Sequence, residues 1–469
     1  MTDSPPAQRE ERAPTTERAL RFRYVDLEID AHDNELRCHY ALDAQPFVER
    51  IVFGDVRPDA WELAGVEAAA AWVFLLAGVS YYKAGAPPVI DVGDIGLSPA
   101  DAEFLRAFYL DGLAEFAYRN ALDLSPLDLI TQATPPTPTS TSAPRAGATN
   151  AQPSGLRPLV PFGGGIDSIV TAELVRHRAG DDDTKLFVVS KAGDRFAAIE
   201  TAAAATGLGI LRADRALDPQ ILQSKELGYL NGHVPVTGVI SAIAVLAALL
   251  HRRDAVVMSN EASASSGNLV ADGRVVNHQW SKGTDFETGF RHALARHTIA
   301  VDYFSMLRSA SELWVAQRFS GLPQYHHAFR SCNRAFYVDP TLRLDHWCGE
   351  CDKCCFVDLV LGPFLPRTEL EANFAGHEPL GNDSLADRFR TLLATSTSPK
   401  PFDCVGDTPE CRSALRLTAA RPDRAGAGLV RRLLAELEAA PDTGAGPDLF
   451  RPVGPHFIPD AYAPGDLLV

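Results

Sequence analysis

A chain of 469 residues in which 46% of side chains are hydrophobic and 22% charged has the balance of an ordinary globular protein and is too long for one small core; its length points to roughly two to four domains. The 44 basic and 60 acidic side chains leave a net charge of −16, which repels a phosphate backbone at long range and speaks against nucleic-acid binding. Eight cysteines in such a chain do not make a disulfide framework, and four of them crowd into "CGECDKCC" (348–355), which points to metal.

The chain opens on "MTDSPPAQREERAPTTERAL", polar, proline-rich and without the apolar segment of a signal peptide. Residues 1–19 therefore read as a disordered tail and the protein as cytoplasmic. From about Leu20, "VDLEID" and the apolar set Leu36, Cys38, Tyr40 and Leu42 alternate about the turn residues "AHDN", which predicts a β-hairpin. A helical stretch follows from about Trp61, and "DAEFLRAFYLDGLAEFAYRN" (101–120) spaces Phe104, Leu105, Phe108, Leu113 and Phe116 as a helix face does. Residues 20–130 are thus expected as an N-terminal α+β domain. Two apolar runs, 68–79 and 236–250, are too short to cross a bilayer comfortably and read as buried helices, so no membrane partner is expected. The segment 131–155 lacks large apolar residues, is rich in Pro, Thr and Ser, and reads as an unstructured linker.

A different pattern starts at 156. "LRPLVPF", "KLFVVS" (185–190), "GILRAD" (209–214) and "AVVMSN" (255–260) are short apolar strands with helical stretches between them, which implies an α/β unit over 156–365 built on a parallel sheet. Residues 366–469 are mixed, with proline-rich breaks, and read as a helical and irregular extension. Within the α/β unit one strand runs into Gly163-Gly164-Gly165, and a helix starts at about Ile166 with Ile169, Val170 and Leu174 on its core side. A bare strand-to-helix turn aims backbone N–H groups at one point, and the helix N-terminus adds partial positive charge. Ser168 adds a hydroxyl, and Asp167 is placed to hold Mg²⁺ beside bound phosphates.

The turn has neither Walker A nor G-x-G-x-x-G spacing. It resembles the Ser-Gly-Gly-x-Asp-Ser signature of the PP-loop ATP pyrophosphatases, with Gly163 standing where that family has serine and one hydroxyl contact to pyrophosphate lost. The resemblance implies ATP as cofactor, and Ser190 and Lys191, at the end of the second strand, as further nucleotide contacts. Asn260 and Glu261 end a later strand on the same side.

Cys348, Cys351 and Cys354 form C-x2-C-x2-C, and Cys332 lies upstream in "FRSCNRAF". Four thiolates suit a closed, structural Zn²⁺ site, and a similar quartet occurs in PP-loop deazaguanine synthases. Cys355 reads as a small buried hydrophobe, and Cys38, Cys404 and Cys411 as non-ligands. Without a metal the clustered thiols become catalytic candidates, since a thiolate can act as a base at an α-carbon.

A wider set of segments, "LLAGVSYYKAGAPPVI", "LAEFAYRN", "FGGGIDS", "SNEASAS", "SCNRAF", "WCGECDKCCFVDLVLGPF", "PFDCVG" and "HFIP", resembles the MurL family of muramyl-dipeptide epimerases from about residue 20 to about 460. That resemblance implies an isomerase using ATP and Mg²⁺ to invert the terminal L-Glu of a UDP-linked muramyl dipeptide through an acyl-adenylate, for peptidoglycan precursor synthesis. Other PP-loop adenylating enzymes, of the amide or nitrile synthase or tRNA-modifying type, and a zinc-stabilised nucleotide-binding module remain as alternatives. No motif names the proton-transfer residues. The segment after Asn260 supplies Glu261, His278 and Lys282 as titratable candidates, and Tyr81, Tyr82 and Lys83 form a polar-aromatic group read as substrate-facing. Arg330, Arg334 and Lys353 flank the cysteines and either offset their charge or bind the substrate's diphosphate.

Overall fold

A computed structural model describes residues 19–131, 155–424, 426–440 and 448–463. The expected tail and nearly all of the expected linker lie outside the described residues.

Strands β1 (Arg21–Asp30), β2 (Glu35–Leu42) and β3 (Gln45–Phe53) form an antiparallel meander. The expected β1–β2 hairpin is present. β3 also alternates, with Phe47, Glu49, Ile51 and Phe53 inward. Two three-residue strands, β4 (Val89–Asp91) and β5 (Asp128–Ile130), extend the sheet in parallel beyond β1. Then come β6 (Pro158–Pro161), β7 (Lys185–Ser190), β8 (Gly209–Ala216) and β9 (Ala255–Met258), a small separate hairpin of β10 (Leu269–Ala271) and β11 (Arg274–Val276), and β12 (Asp302–Ser305).

Ten of these strands make one sheet in the order β12-β9-β6-β7-β8-β3-β2-β1-β4-β5. From β12 to β8 every pairing is parallel, as expected of an α/β unit. The expectation of a separate parallel sheet needs correction, because β8 pairs antiparallel with β3 and the sheet continues into the N-terminal strands. At that seam the Arg215 guanidinium on β8 donates to the fully buried Glu49 carboxylate on β3 at 2.6 Å, which lets a charge sit on an apolar strand face.

β6, first of the parallel strands, lies in the middle. The chain runs outward through β7 and β8, then crosses back to β9 and β12 on the other side. This reversal makes the C-terminal ends of β6 and β9 the switch point, the place where open α/β sheets take ligands.

The strand side chains alternate between two cores. Leu159, Phe187, Val256, Met258 and Tyr303 pack with the helices Val66–Ala77 and Val236–Leu250. Val160, Leu186, Val188, Val257 and Phe304 pack with the helices Ile166–Ala179, Glu312–Ser320 and Asp352–Leu361. The two helices in the first core are the apolar runs noted above; they are buried almost all round, which accounts for their hydropathy. Among the described residues no helix is long and apolar enough to cross a membrane. The expected helix over 101–120 is two, Pro99–Leu110 and Ala114–Arg119. They part at Gly112, where a Cβ would stand 2.9 Å from the Pro235 ring, and the change of direction carries Glu115 inward.

Candidate active site

The glycine turn sits at the sheet's switch point. Gly163 is exposed with open space where a Cβ would be. Gly164 has φ +77°, and a Cβ there would meet the Ala198 carbonyl oxygen at 3.0 Å, so both conformation and space require glycine. Gly165 is the N-cap of the fourteen-residue helix Ile166–Ala179, whose first turn no side chain caps. The Ser168 hydroxyl donates to the Gly165 carbonyl at 3.0 Å and so closes the helix's own first turn. Behind the turn the Arg330 N–H donates to the Gly164 carbonyl at 3.1 Å, and the buried Nε of Arg330 has no hydrogen-bond partner. The result is an open corner lined by backbone and a helix N-terminus, which suits an anionic oxygen.

Beside the corner lies a group of buried charges. Asp167 Oδ1 is buried without a partner, and burial together with the nearby Glu261 carboxylate pushes its carboxyl up to about 7, against the pull of Lys353 and Lys282. Glu312 is 2% exposed; burial and the charges of Glu261 and Asp167 raise its carboxyl well above the carboxylate range. Glu410, pushed up to about 7 mainly by burial, accepts from the Glu312 N–H at 2.8 Å. A carboxyl group raised by a neighbouring carboxylate and holding an orphaned oxygen fits an oxygen-preferring divalent cation at Asp167 and Glu261.

Arg308, itself fully buried, orders this floor. Its Nε donates to Glu287 at 2.7 Å, and its two terminal nitrogens donate to the carbonyls of Glu261 and Lys282. Two of the three proton-transfer candidates are thus tied to one guanidinium, although 20 residues separate them in sequence.

The third, His278, accompanies groups that the sequence did not single out. His278 Nδ1 bonds Glu115 Oε2 at 2.5 Å, and its ring lies against that of His233 with centroids 4.1 Å apart and planes tilted by 37°. His278 also hydrogen-bonds Cys404, whose sulfur accepts from Lys282 Nζ at 3.2 Å. Burial works against a charged imidazole, but Cys404 and Glu115 outweigh it and raise His278 to about 9. Lys282 is likewise held protonated, since Cys404 and Glu261 overcome its burial. Burial would raise the Cys404 thiol; Lys282, the His278 bond and Lys353 instead bring it down to about 6. The donor atoms of Glu115, His233 and His278 come within 4.8 Å of one another. The bond from Nδ1 of His278 to Glu115 and the close, tilted contact of the two rings tie the three side chains together.

The four cysteines meet in space. The sulfurs of Cys332, Cys348, Cys351 and Cys354 lie within 4.8 Å of one another, with Cys348–Cys354 at 3.6 Å and Cys351–Cys354 at 3.4 Å. Those separations are close to the sulfur–sulfur edge, about 3.8 Å, of a tetrahedron with Zn–S bonds of about 2.3 Å. Cys355 is fully buried. Since Arg330 and Ser331 touch the glycine turn and Cys332 follows them, the quartet buttresses that corner from behind.

Other expected contacts fall elsewhere. Ser190, at the end of β7, accepts from Arg195 at 2.7 Å, and Lys191 is exposed beside it. Arg334 pairs with Glu350 at the surface, whereas Lys353 reaches the site and donates to the Cys404 carbonyl. The reading of Tyr81 and Tyr82 as substrate-facing is corrected: both are buried in the aromatic core, with the Tyr82 hydroxyl donating to the Pro87 carbonyl. Lys83 donates to Asn231 at 2.7 Å and to the Gly232 carbonyl, and so fixes the loop that carries His233. A cavity of about 640 Å³ lies between the Glu115 helix and the β10–β11 hairpin, lined in part by Ala114, Ala117 and Tyr118 and by Arg274 and Val276.

Comparison with known proteins gives concordant matches. The family model for the MurL N-terminal domain matches residues 14–306, and that for the MurL C-terminal domain matches residues 328–446. A protein of Xanthomonas oryzae pv. oryzae named UDP-N-acetyl-alpha-D-muramoyl-L-alanyl-L-glutamate epimerase is 38% identical over 89% of this chain and 90% of its own. Proteins of the same name from a Micromonospora species and from Salinispora tropica are 41% and 40% identical, each over 83% of this chain and over 83% and 81% of their own. No solved structure matches.

Proposed function

Because the chain belongs to the MurL family of epimerases, and so to the isomerases, we propose that it inverts the terminal L-Glu of UDP-N-acetylmuramoyl-L-alanyl-L-glutamate to D-Glu, in the cytoplasm, for peptidoglycan precursor synthesis. The observation that carries the reading is the meeting of an open phosphate-type corner with a buried titratable cluster at one sheet switch point.

The chemistry accounts for both halves. A Cα–H beside a free carboxylate is very weakly acidic, because its removal would make a dianion. Activation of that carboxylate by ATP as an acyl-adenylate removes the charge and turns the carbonyl into an electron sink. Gly163, Gly164, Gly165 and the helix N-terminus receive phosphate oxygens. Asp167 and Glu261 are the residues that would hold Mg²⁺, which when bound offsets phosphate charge. Glu261, His278 and Lys282 surround the reacting carbon, and the cavity beside the Glu115 helix takes the rest of the UDP-linked substrate.

Incubation of the full-length protein with ATP, Mg²⁺ and UDP-MurNAc-L-Ala-L-Glu is expected to release AMP and pyrophosphate, and D-Glu after hydrolysis of the product. AMP without D-Glu would point to another adenylating enzyme, and no AMP would remove the ATP-dependent reading. The purified chain is also expected to carry about one zinc ion, lost in Cys351→Ser together with thermal stability. Elemental analysis finding no zinc in the wild type would refute the assignment of the quartet.

A further inference from the structure

We propose that the Cys404 sulfur is the group that takes the α-proton of the activated glutamyl residue, with His278 and Lys282 as the residues that position it. This rests on the reading above and adds to it the acting atom.

Three separate segments build the arrangement: Glu115 from the N-terminal half, His278 and Lys282 from the loop after β11, and Cys404 from the loop 401–406. That loop is pinned at several points. Asn268 donates to the Pro401 carbonyl at 2.6 Å, Asn333 to the Asp403 carboxylate at 2.8 Å, and Lys353 to the Cys404 carbonyl. Such fixation gives the sulfur a defined place, as a base acting at one carbon requires.

Alternatives around the sulfur are less suited. His278 and Lys282 are both held protonated at neutral pH, so neither is a free base. Cys38 and Cys411 are fully buried, and burial raises their thiols, whereas Cys404 is partly exposed and lies outside the zinc-type quartet. The charged groups facing Cys404 are Lys282 and His278 from one loop, Lys353 from the helix Asp352–Leu361, and Asp167 from the glycine-turn helix. The three cations dominate and bring the thiol to about 6, so that at neutral pH it is largely thiolate and matched to proton abstraction. Cys404 and Asp167 are also near enough for their charges to interact, which places the base beside the corner where the carboxyl group is activated.

In the step itself the Cα–H bond breaks, its electron pair moves into the acyl carbonyl as an enolate, and the proton forms S–H on Cys404. A solvent-derived proton delivered at the opposite face then makes the new Cα–H bond as the enolate collapses. The thiol proton exchanges with solvent before the next turnover.

The experiment runs the wild type and Cys404→Ser in D₂O with ATP, Mg²⁺ and the dipeptide substrate. Pyrophosphate–ATP exchange reports adenylation, and mass spectrometry reports deuterium at the α-carbon. The variant is expected to keep exchange within a few-fold of wild type and to lose deuterium incorporation and D-Glu formation by about 100-fold. Unchanged deuterium incorporation overturns the proposal, as does equal loss of adenylation and deuterium incorporation. Failure of the underlying reading looks different, because the wild type itself would then show no substrate-dependent exchange. A second measurement needs no variant. In the folded wild type, iodoacetamide at pH 7 is expected to modify Cys404 well before Cys38 or Cys411, with protection by substrate; equal reactivity of the three would also overturn it.

Discussion

Gly164→Val is expected to lower the rate of AMP release by about 100-fold while leaving the fold in place, as judged by circular dichroism and thermal melting. Two separate effects act at this position. With φ at +77°, Gly164 lies in a region that β-branched residues avoid, at a cost of about 1–3 kcal/mol. A Cβ would also meet the Ala198 carbonyl oxygen at 3.0 Å and the Ile199 Cα at 3.2 Å, both backbone atoms of a helix that cannot swing aside as a flexible side chain does. The turn relieves this by moving toward solvent, and its N–H groups leave the point at which they converge. Gly163→Ala serves as the contrast: open space surrounds that position, so the variant is expected to fold normally and to reveal only the loss of close approach to the backbone. AMP release by Gly164→Val within threefold of wild type would show that this corner does not grip the nucleotide.

The second large effect concerns Arg308. Arg308→Met is expected to destabilise the protein by about 3–5 kcal/mol, because it leaves the buried Glu287 carboxylate without its partner in a dry interior. Urea denaturation followed by tryptophan fluorescence would measure the change. The pairing with Glu287→Leu separates stability from function. Removing both charges restores much of the stability, since the desolvation of the ion pair goes with them. Activity is not expected to return, because the carbonyls of Glu261 and Lys282 still lack the donors that hold them. Recovery of full activity in the double variant would show that Arg308 has no positioning role.

The joining of distant charges explains why the site was only partly legible beforehand. The place of the Glu261–Lys282 segment after a strand marks it in the sequence; Glu261 and Lys282 act on Asp167, whereas His278 sits with Glu115 and Cys404. Glu115 interrupts an apolar helix face between Leu113 and Phe116, a pattern that marks a charge with a buried partner. Glu312 and Arg308 carry no such pattern, and nothing in the residues around Cys404 in sequence sets it apart from Cys38 or Cys411.

What the sequence determined by itself is local. The glycine corner, the helix that follows it, the parallel strands and the cysteine quartet each depend mainly on residues close together in the chain, so turn conformation, side-chain periodicity and ligand spacing can be read in place. What the tertiary structure alone decided is the electrostatics. Glu115 meets His278 across 163 positions and Lys282 meets Cys404 across 122, and the sheet runs on from β8 into β3 through strands on either side of a long intervening segment. The physical reason is that the proton affinity of a buried group depends on burial and on every nearby charge, and packing sets both.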